Sequence, residues 1–306
     1  MRYMLRDGSM PKVLVVGSLN MDLVVETPTF PRPGETLFGT AFATHAGGKG
    51  ANQAVAAARL GAQVTLIGRV GCDAFGREMK AGLEAEGVGT RWVSDTRGVP
   101  TGTAAITVFN AENAIIVIPG ANGALRPADL SAAEVEFAQA DVILAQLEVP
   151  ADTVEHAGTL AAQYGKPFVL NPAPATKLSQ RLLSLCTLLI PNEHELATAL
   201  GASQADWKDL LASLPGRIVV TKGADGAYFS DADRTLRHQS GFKVTPVDTT
   251  GAGDTFAGAL VAFWNLGFEE AVRRGCAAGA LSVTKAGARG GMPTLAELNT
   301  YLGTVP

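Results

Sequence analysis

The segment Asp248-Thr249-Thr250-Gly251-Ala252-Gly253-Asp254 runs directly into the apolar stretch Thr255 to Leu266. Glycines flanking Ala252 at a helix start leave backbone N–H groups open to whatever lies above them, and the helix dipole adds partial positive charge. Such a place suits a phosphate, or the charge that develops on a phosphoryl group in transfer. Asp254 falls in the first helical turn, where a carboxylate can accept a proton from a hydroxyl attacking phosphorus. The same residues also read as a glycine turn followed by an ordinary acid at a helix N-terminus. The segment alone does not separate the two.

Gly47-Gly48-Lys49-Gly50-Ala51-Asn52-Gln53 leads into Ala54 to Gly61. Paired glycines allow close backbone approach to a ligand, and Lys49 and Asn52 then offer donors from a loop-to-helix junction. Asn20 and Asp22 follow the first apolar run, at the carboxyl end where open α/β sheets bind ligands. Asp, Asn and Lys together suit a polyhydroxylated substrate, since each sugar hydroxyl is both donor and acceptor; in isolation each also reads as a solvated turn or a surface lysine. Asn192 and Glu195, in Pro191-Asn192-Glu193-His194-Glu195, have the spacing of a capping box and equally that of a water-mediated magnesium and phosphate site. Thr221-Lys222-Gly223-Ala224-Asp225-Gly226 could border a nucleotide or turn a hairpin.

Two familiar nucleotide schemes do not fit. Phe256 stands where the third glycine of a dinucleotide fingerprint belongs. Gly50 follows Gly48-Lys49 where a P-loop needs Ser or Thr, and Ala43 replaces its first glycine.

These segments are spaced along an alternation of β-branched runs and Ala-rich amphipathic stretches, the pattern of βαβ units. Strands are expected at Val13–Val16, Val64–Val70, Val142–Gln146, Phe168–Asn171, Leu188–Ile190 and Ile218–Thr221. Helices are expected at Ala51–Leu60, Ala74–Glu86, Asp152–Tyr164, Glu193–Leu200, Ala252–Leu266 and Phe268–Lys285. The alternation predicts a parallel sheet with helices on both faces. Residues 20–45 and about 90–118 break it with period-2 apolar spacing, and read as antiparallel lid strands inserted into the body. Residues 12–306 then form one α/β domain, after a tag-like or disordered stretch 1–11 in which Met4 and Met10 are alternative starts.

Composition excludes other classes. The 306 residues are 47% hydrophobic and 18% charged, which describes a globular interior and not a disordered chain. A net charge of −4 without a basic run argues against nucleic-acid binding. Cys72, Cys186 and Cys276 are scattered, and the four histidines lack ligand spacing, so neither a disulfide framework nor a zinc site is expected. Apolar runs stop short of the ~20 residues of a membrane span. A soluble, cytoplasmic protein is expected.

In order and spacing, N-x-D, GGKGAN, N-x-x-E, T-K-G-x-x-G and D-T-x-G-A-G-D resemble the ribokinase family of carbohydrate kinases (PfkB type), from about Val13 to Pro293. Gln146 to Pro150 and Asn171 to Ala175 belong to the same likeness. The resemblance implies a ribokinase-like three-layer α/β/α body with a mostly parallel central sheet and a small inserted β-sheet lid, homodimeric through the lid strands. It implies ATP-dependent phosphorylation of D-ribose at O5; deoxyribose, fructose or a nucleoside are the alternatives, and a non-catalytic sugar-binding regulator a further one. By the same resemblance Asp254 is the base, and Gly251, Ala252 and Gly253 form the anion hole. Asn20, Asp22, Gly48, Lys49, Asn52 and Glu148 contact the sugar. Asn192 and Glu195 organise Mg2+ and phosphate. Thr221, Gly223 and Gly226 border the nucleotide, with Cys276 in a helix beside the adenine. Potassium is expected at Asp248, Thr250, Ser282, Lys285, Gly287 and Gly291, mostly through backbone carbonyls. The chain departs from the pattern at Gly291, commonly Ser, and Arg289, usually Gln; a Ser hydroxyl contact to the cation is lost.

Overall fold

Alternate residues of the run Lys12–Val16 (strand β1) enter opposite cores: Val13 and Val15 join one apolar cluster, Leu14 and Val16 the other. A strand buried on both faces has helices on both sides, and its near-continuous apolar sequence reflects this. In the computed structural model, which describes residues 10–304 except 111, 203, 204 and 232, β1 lies inside the main sheet. Most of the stretch 1–11 falls outside the described residues.

The remaining strands are β2 (Asn20–Glu26), β3 (Ala41–Gly47), β4 (Gln63–Gly71), β5 (Val88–Thr96), β6 (Gly102–Phe109), β7 (Glu112–Ile118), β8 (Val142–Ala145), β9 (Phe168–Leu170), β10 (Leu188–Leu189), β11 (Val219–Thr221), β12 (Gly226–Ser230) and β13 (Leu236–Ser240). The main sheet has the order β10-β9-β8-β1-β4-β5, and every pair is parallel. Parallel bridges Leu189↔Ile218 and Asn192↔Thr221 carry it on to β11, which pairs antiparallel with β12, as β12 does with β13.

The second sheet, β3-β2-β6-β7, differs from the all-antiparallel expectation. β2–β3 and β6–β7 are antiparallel hairpin neighbours, but β2 and β6 run parallel. Both excursions leave the carboxyl ends of parallel strands, β1 and β5, so their first strands set out in the same direction. Val88–Thr96, read from sequence as partly within the second excursion, is the edge of the main sheet, and the excursion proper is 102–118. One face of this sheet stays open: Phe42 is 66% exposed and Ile116 70%.

Three helices on one face position the site. Helix Lys49–Arg59 and helix Ala252–Ala262 pack so closely that a Cβ on Gly258 would stand 2.6 Å from the Gln53 carbonyl oxygen. Helix Phe268–Ser282 backs them, with Gly275 admitting the Phe256 ring. The start of helix Lys49–Arg59 sits on the carboxyl end of β1, where a Cβ on Gly50 would stand 2.7 Å from Gly17 Cα.

Candidate active site

The chain leaves β1 through Gly17 and Ser18 and passes beneath the glycine loop that opens helix Lys49–Arg59. A Cβ on Gly47 would stand 2.6 Å from Asp22 Cγ, and one on Gly48 equally close to the Asn20 amide nitrogen. Gly48 also has φ +87°, a conformation that L side chains rarely adopt. The two glycines therefore let the loops touch, bringing Lys49 and Asn52 over Asn20 and Asp22. Asn122 fixes the lower loop: its Nδ2 donates to Asn20 Oδ1 at 2.7 Å, and its Oδ1 accepts from the Leu19 amide at 2.9 Å.

Gly251 caps helix Ala252–Ala262 in the left-handed conformation, φ +77°. The first-turn N–H groups have no intrahelical acceptor. Gly251, Ala252 and Gly253 line a cavity of about 130 Å³ whose wall also includes Lys49, Asn192, Glu195, Thr221 and Asp254, and the Ala252 N–H is shared with the Thr249 carbonyl at 3.3 Å. A Cβ on Gly253 would meet nothing within 4 Å. Asp254 is 8% exposed, and both its oxygens are held. Asn52 Nδ2 donates to Oδ2 at 3.1 Å, and Gln53 Nε2 donates to Oδ1 at 2.9 Å. Behind Gln53 stands Gln146, whose Nε2 donates to Gln53 Oε1 at 2.6 Å, while Gln53 also donates to Asn171 Oδ1.

Glu148, just after β8, accepts from the Lys49 amide at 3.0 Å and from Ser18 Oγ. Burial pulls the Lys49 ammonium down, but the carboxylates of Asp254, Glu148 and Glu195 outweigh it and leave its pKa raised. Burial dominates at Asp22 and, with Glu148 and Asp254 nearby, pushes its pKa to about 6 against the opposing charge of Arg289. The site thus carries excess negative charge around one lysine.

Asn192 and Glu195 form the reciprocal capping box of helix Glu193–Ala199: Glu195 N–H donates to Asn192 Oδ1 and Asn192 N–H to Glu195 Oε2. Both residues also line the cavity, so the capping box forms part of its wall. Burial raises the Glu195 pKa. Thr221 reaches the same wall, whereas Gly223, in the turn before β12, and Gly226, the first residue of β12, lie beyond it. Cys276 is 8% exposed and sits in the apolar core; its thiol, pushed up to about 12 by burial, does not reach the cavity.

Asp248 ties the expected cation segments together. Its Oδ1 accepts from Thr250 N–H at 2.9 Å and its Oδ2 from Gly287 N–H at 2.8 Å. The Val247 amide donates to Val283 O, one residue past Ser282. Gly291 packs directly on the Ser282 carbonyl, and the Lys285 side chain points to Glu297, 3.5 Å away. Among the described residues no cluster of His, Cys, Asp and Glu could hold a metal by itself, and no helix is long and apolar enough to cross a membrane.

Sequence reasoning left Gln53, Gln146, Asn171, Asn122 and Arg289 without roles. Adjacent amides at Asn52 and Gln53 within an alanine-rich helix are the one local signal that could have found any of them. Carbonyl and amide partners more than 90 residues away supply the rest.

The pfkB family carbohydrate kinase pattern matches residues 10–295. A ribokinase of Bacillus subtilis is 41% identical over 295 residues, covering 96% of this chain and 100% of that one. A deoxyribokinase of Salmonella typhi is 36% identical, covering 95% and 98%. The structure of Arabidopsis thaliana ribokinase complexed with ribose and ATP superposes with a TM-score of 0.90 at 30% identity, covering 96% and 99%.

Proposed function

The chain belongs to the pfkB family of carbohydrate kinases, and from that premise we propose that it transfers the γ-phosphoryl group of ATP to the 5-hydroxyl of D-ribose, giving D-ribose 5-phosphate and ADP. The observation that carries the reading is Asp254, held by the Asn52 and Gln53 amides at the start of a helix whose first residues, Gly251 to Gly253, line the cavity. A hydroxyl placed against its carboxylate gives up its proton as the oxygen attacks phosphorus. The N–H groups at Gly251, Ala252 and Gly253 stabilise the charge on the transferring group, and Lys49 neutralises its approach. Asn20, Asp22, Gly48, Asn52 and Glu148 bind the sugar hydroxyls.

Asn192 and Glu195 offer oxygen donors on the cavity wall, the kind a hard cation takes, and would hold magnesium with its water shell. When bound, the metal offsets phosphate charge. Thr221, Gly223 and Gly226 border the nucleotide; Cys276 supports that wall through its helix and not its thiol. Asp248 and the carbonyls of Thr250, Ser282, Lys285, Gly287 and Gly291 would hold potassium, and the bonds joining these segments support that grouping. The sheet β3-β2-β6-β7 acts as a lid that excludes water and pairs two copies of the chain across its apolar face, on which Phe42 and Ile116 stand exposed. Free cysteines throughout are consistent with a cytoplasmic location.

A similar deoxyribokinase keeps deoxyribose as the second reading. An ADP-release assay over ribose, deoxyribose, fructose and a nucleoside, with and without potassium, decides between them. Ribose is expected to show the highest kcat/KM; a better acceptor among the others overturns the substrate assignment.

A further inference from the structure

Arg289 has no part in the chemistry assigned above, yet it reaches the sugar side of the site from the loop between helix Phe268–Ser282 and helix Leu295–Thr304. Its Nε donates to Asn52 Oδ1 at 3.0 Å and its Nη2 to the Gly47 carbonyl at 3.3 Å. The loop itself is pinned from behind. Arg59 Nη1 donates to the carbonyls of Arg289 and Met292 at 2.7 and 2.9 Å, while Arg59 is paired with Glu86 through both its Nε and Nη2.

The amide of Asn52 therefore stands between a group that can only donate and a group that, when ionised, can only accept. A guanidinium has no acceptor, so Asn52 must turn Oδ1 to Arg289. Its Nδ2 is then left for Asp254 Oδ2, 3.1 Å away. An uncharged amide in place of Arg289 could satisfy Asn52 either way round and would not impose this orientation.

We propose that Arg289 is a positioning residue for phosphoryl transfer, orienting Asn52 and through it the Asp254 carboxylate, and presenting a fixed positive charge to the sugar-binding Asp22. The proposal rests on the kinase reading above. Arg289 is partly buried, and the desolvation lowers its pKa to about 10, so it remains charged at neutral pH. Asp22 is faced by His45 across the β2–β3 pair, by Glu148 after β8, by Asp254 on its helix and by Arg289, whose charge opposes those of the two carboxylates.

The test compares R289Q and R289K with the unaltered enzyme. In R289Q, kcat/KM for the sugar is expected to fall by about 10- to 100-fold, the loss of one hydrogen bond involving a charged group, while KM for ATP stays unchanged. The acidic limb of the kcat/KM profile should move to higher pH. R289K keeps the charge without the two-pronged geometry, so it should restore the limb but not the rate. It also serves if R289Q folds poorly. An NMR titration of Asp22 needs no turnover, and its midpoint should rise above about 6 in R289Q. An unchanged midpoint, or an acid limb that stays in place while the rate drops, overturns the proposal. An enzyme that phosphorylates no sugar, but whose Asp22 midpoint still moves, overturns the kinase reading instead.

Discussion

Introducing serine at position 291 is the sharpest test of the loop that carries Gly287 and Arg289. A Cβ on Gly291 would stand 2.6 Å from the Ser282 carbonyl carbon and 3.0 Å from its Cα, and closer still to the oxygen. The backbone at Gly291 is not left-handed, so the cost is entirely steric. Ser282 cannot retreat freely: it is fully buried and its Oγ donates to Gly279 O at 2.8 Å, closing the end of its helix. Forcing a side chain into a packed interior costs about 1–3 kcal/mol. For a chain of this size that lowers Tm by roughly 2–6 °C, at about 2 °C per kcal/mol. The displaced loop carries the Gly287 N–H that holds Asp248, as well as Arg289, so kcat should fall too. Calorimetry and initial rates with and without potassium measure both effects for G291S, with G291A as a companion. A G291S enzyme with unaltered Tm and rates would refute the reasoning, because the loop would then have room that the structure denies it.

Asp254→Asn should lower kcat by about 10²- to 10⁴-fold, since Asn fills the same space but cannot take the proton; an ADP-release assay checks this, with circular dichroism confirming the fold. Asp22 titrates near 6 in the folded state against about 3.8 unfolded, so the native state holds the proton more tightly. Its contribution to stability is greatest at low pH and is lost as pH rises through about 6, a difference on the order of 3 kcal/mol. D22N is therefore expected to raise Tm at neutral pH relative to the unaltered enzyme, but not in acid, while weakening sugar binding; thermal melts across pH decide it. The pairing of two copies proposed for the lid sheet predicts that Ile116→Glu shifts sedimentation from dimer to monomer, with the fold intact by circular dichroism; a protein that sediments as a monomer before the change refutes the pairing.

Much of the architecture was readable locally. The β-branched runs at β1, β4, β8 and β9 and the alanine-rich helices between them carry their periodicity within single segments, and a parallel sheet follows from their alternation. The Asn192–Glu195 spacing was equally legible, because a capping box closes within one turn, although only the tertiary structure shows that the same residues line a cavity. The parallel pairing of β2 with β6 was not legible, since it joins two separate excursions in a register that sets Asn20 beside Gly102 and Glu26 beside Val108. The inward turn of Cys276 was likewise decided by packing against the core.

Sequence by itself determined which residue types were available and which turns could form: a glycine-flanked helix start with an acid in its first turn, and a glycine pair before Lys49. Tertiary structure alone decided what holds them. Gln53 meets Asp254 across 201 residues, and Arg289 meets Asn52 across 237. Hydrogen bonds of this kind leave no periodicity, because their partners share no turn, face or strand until the sheet and its helices have brought them together.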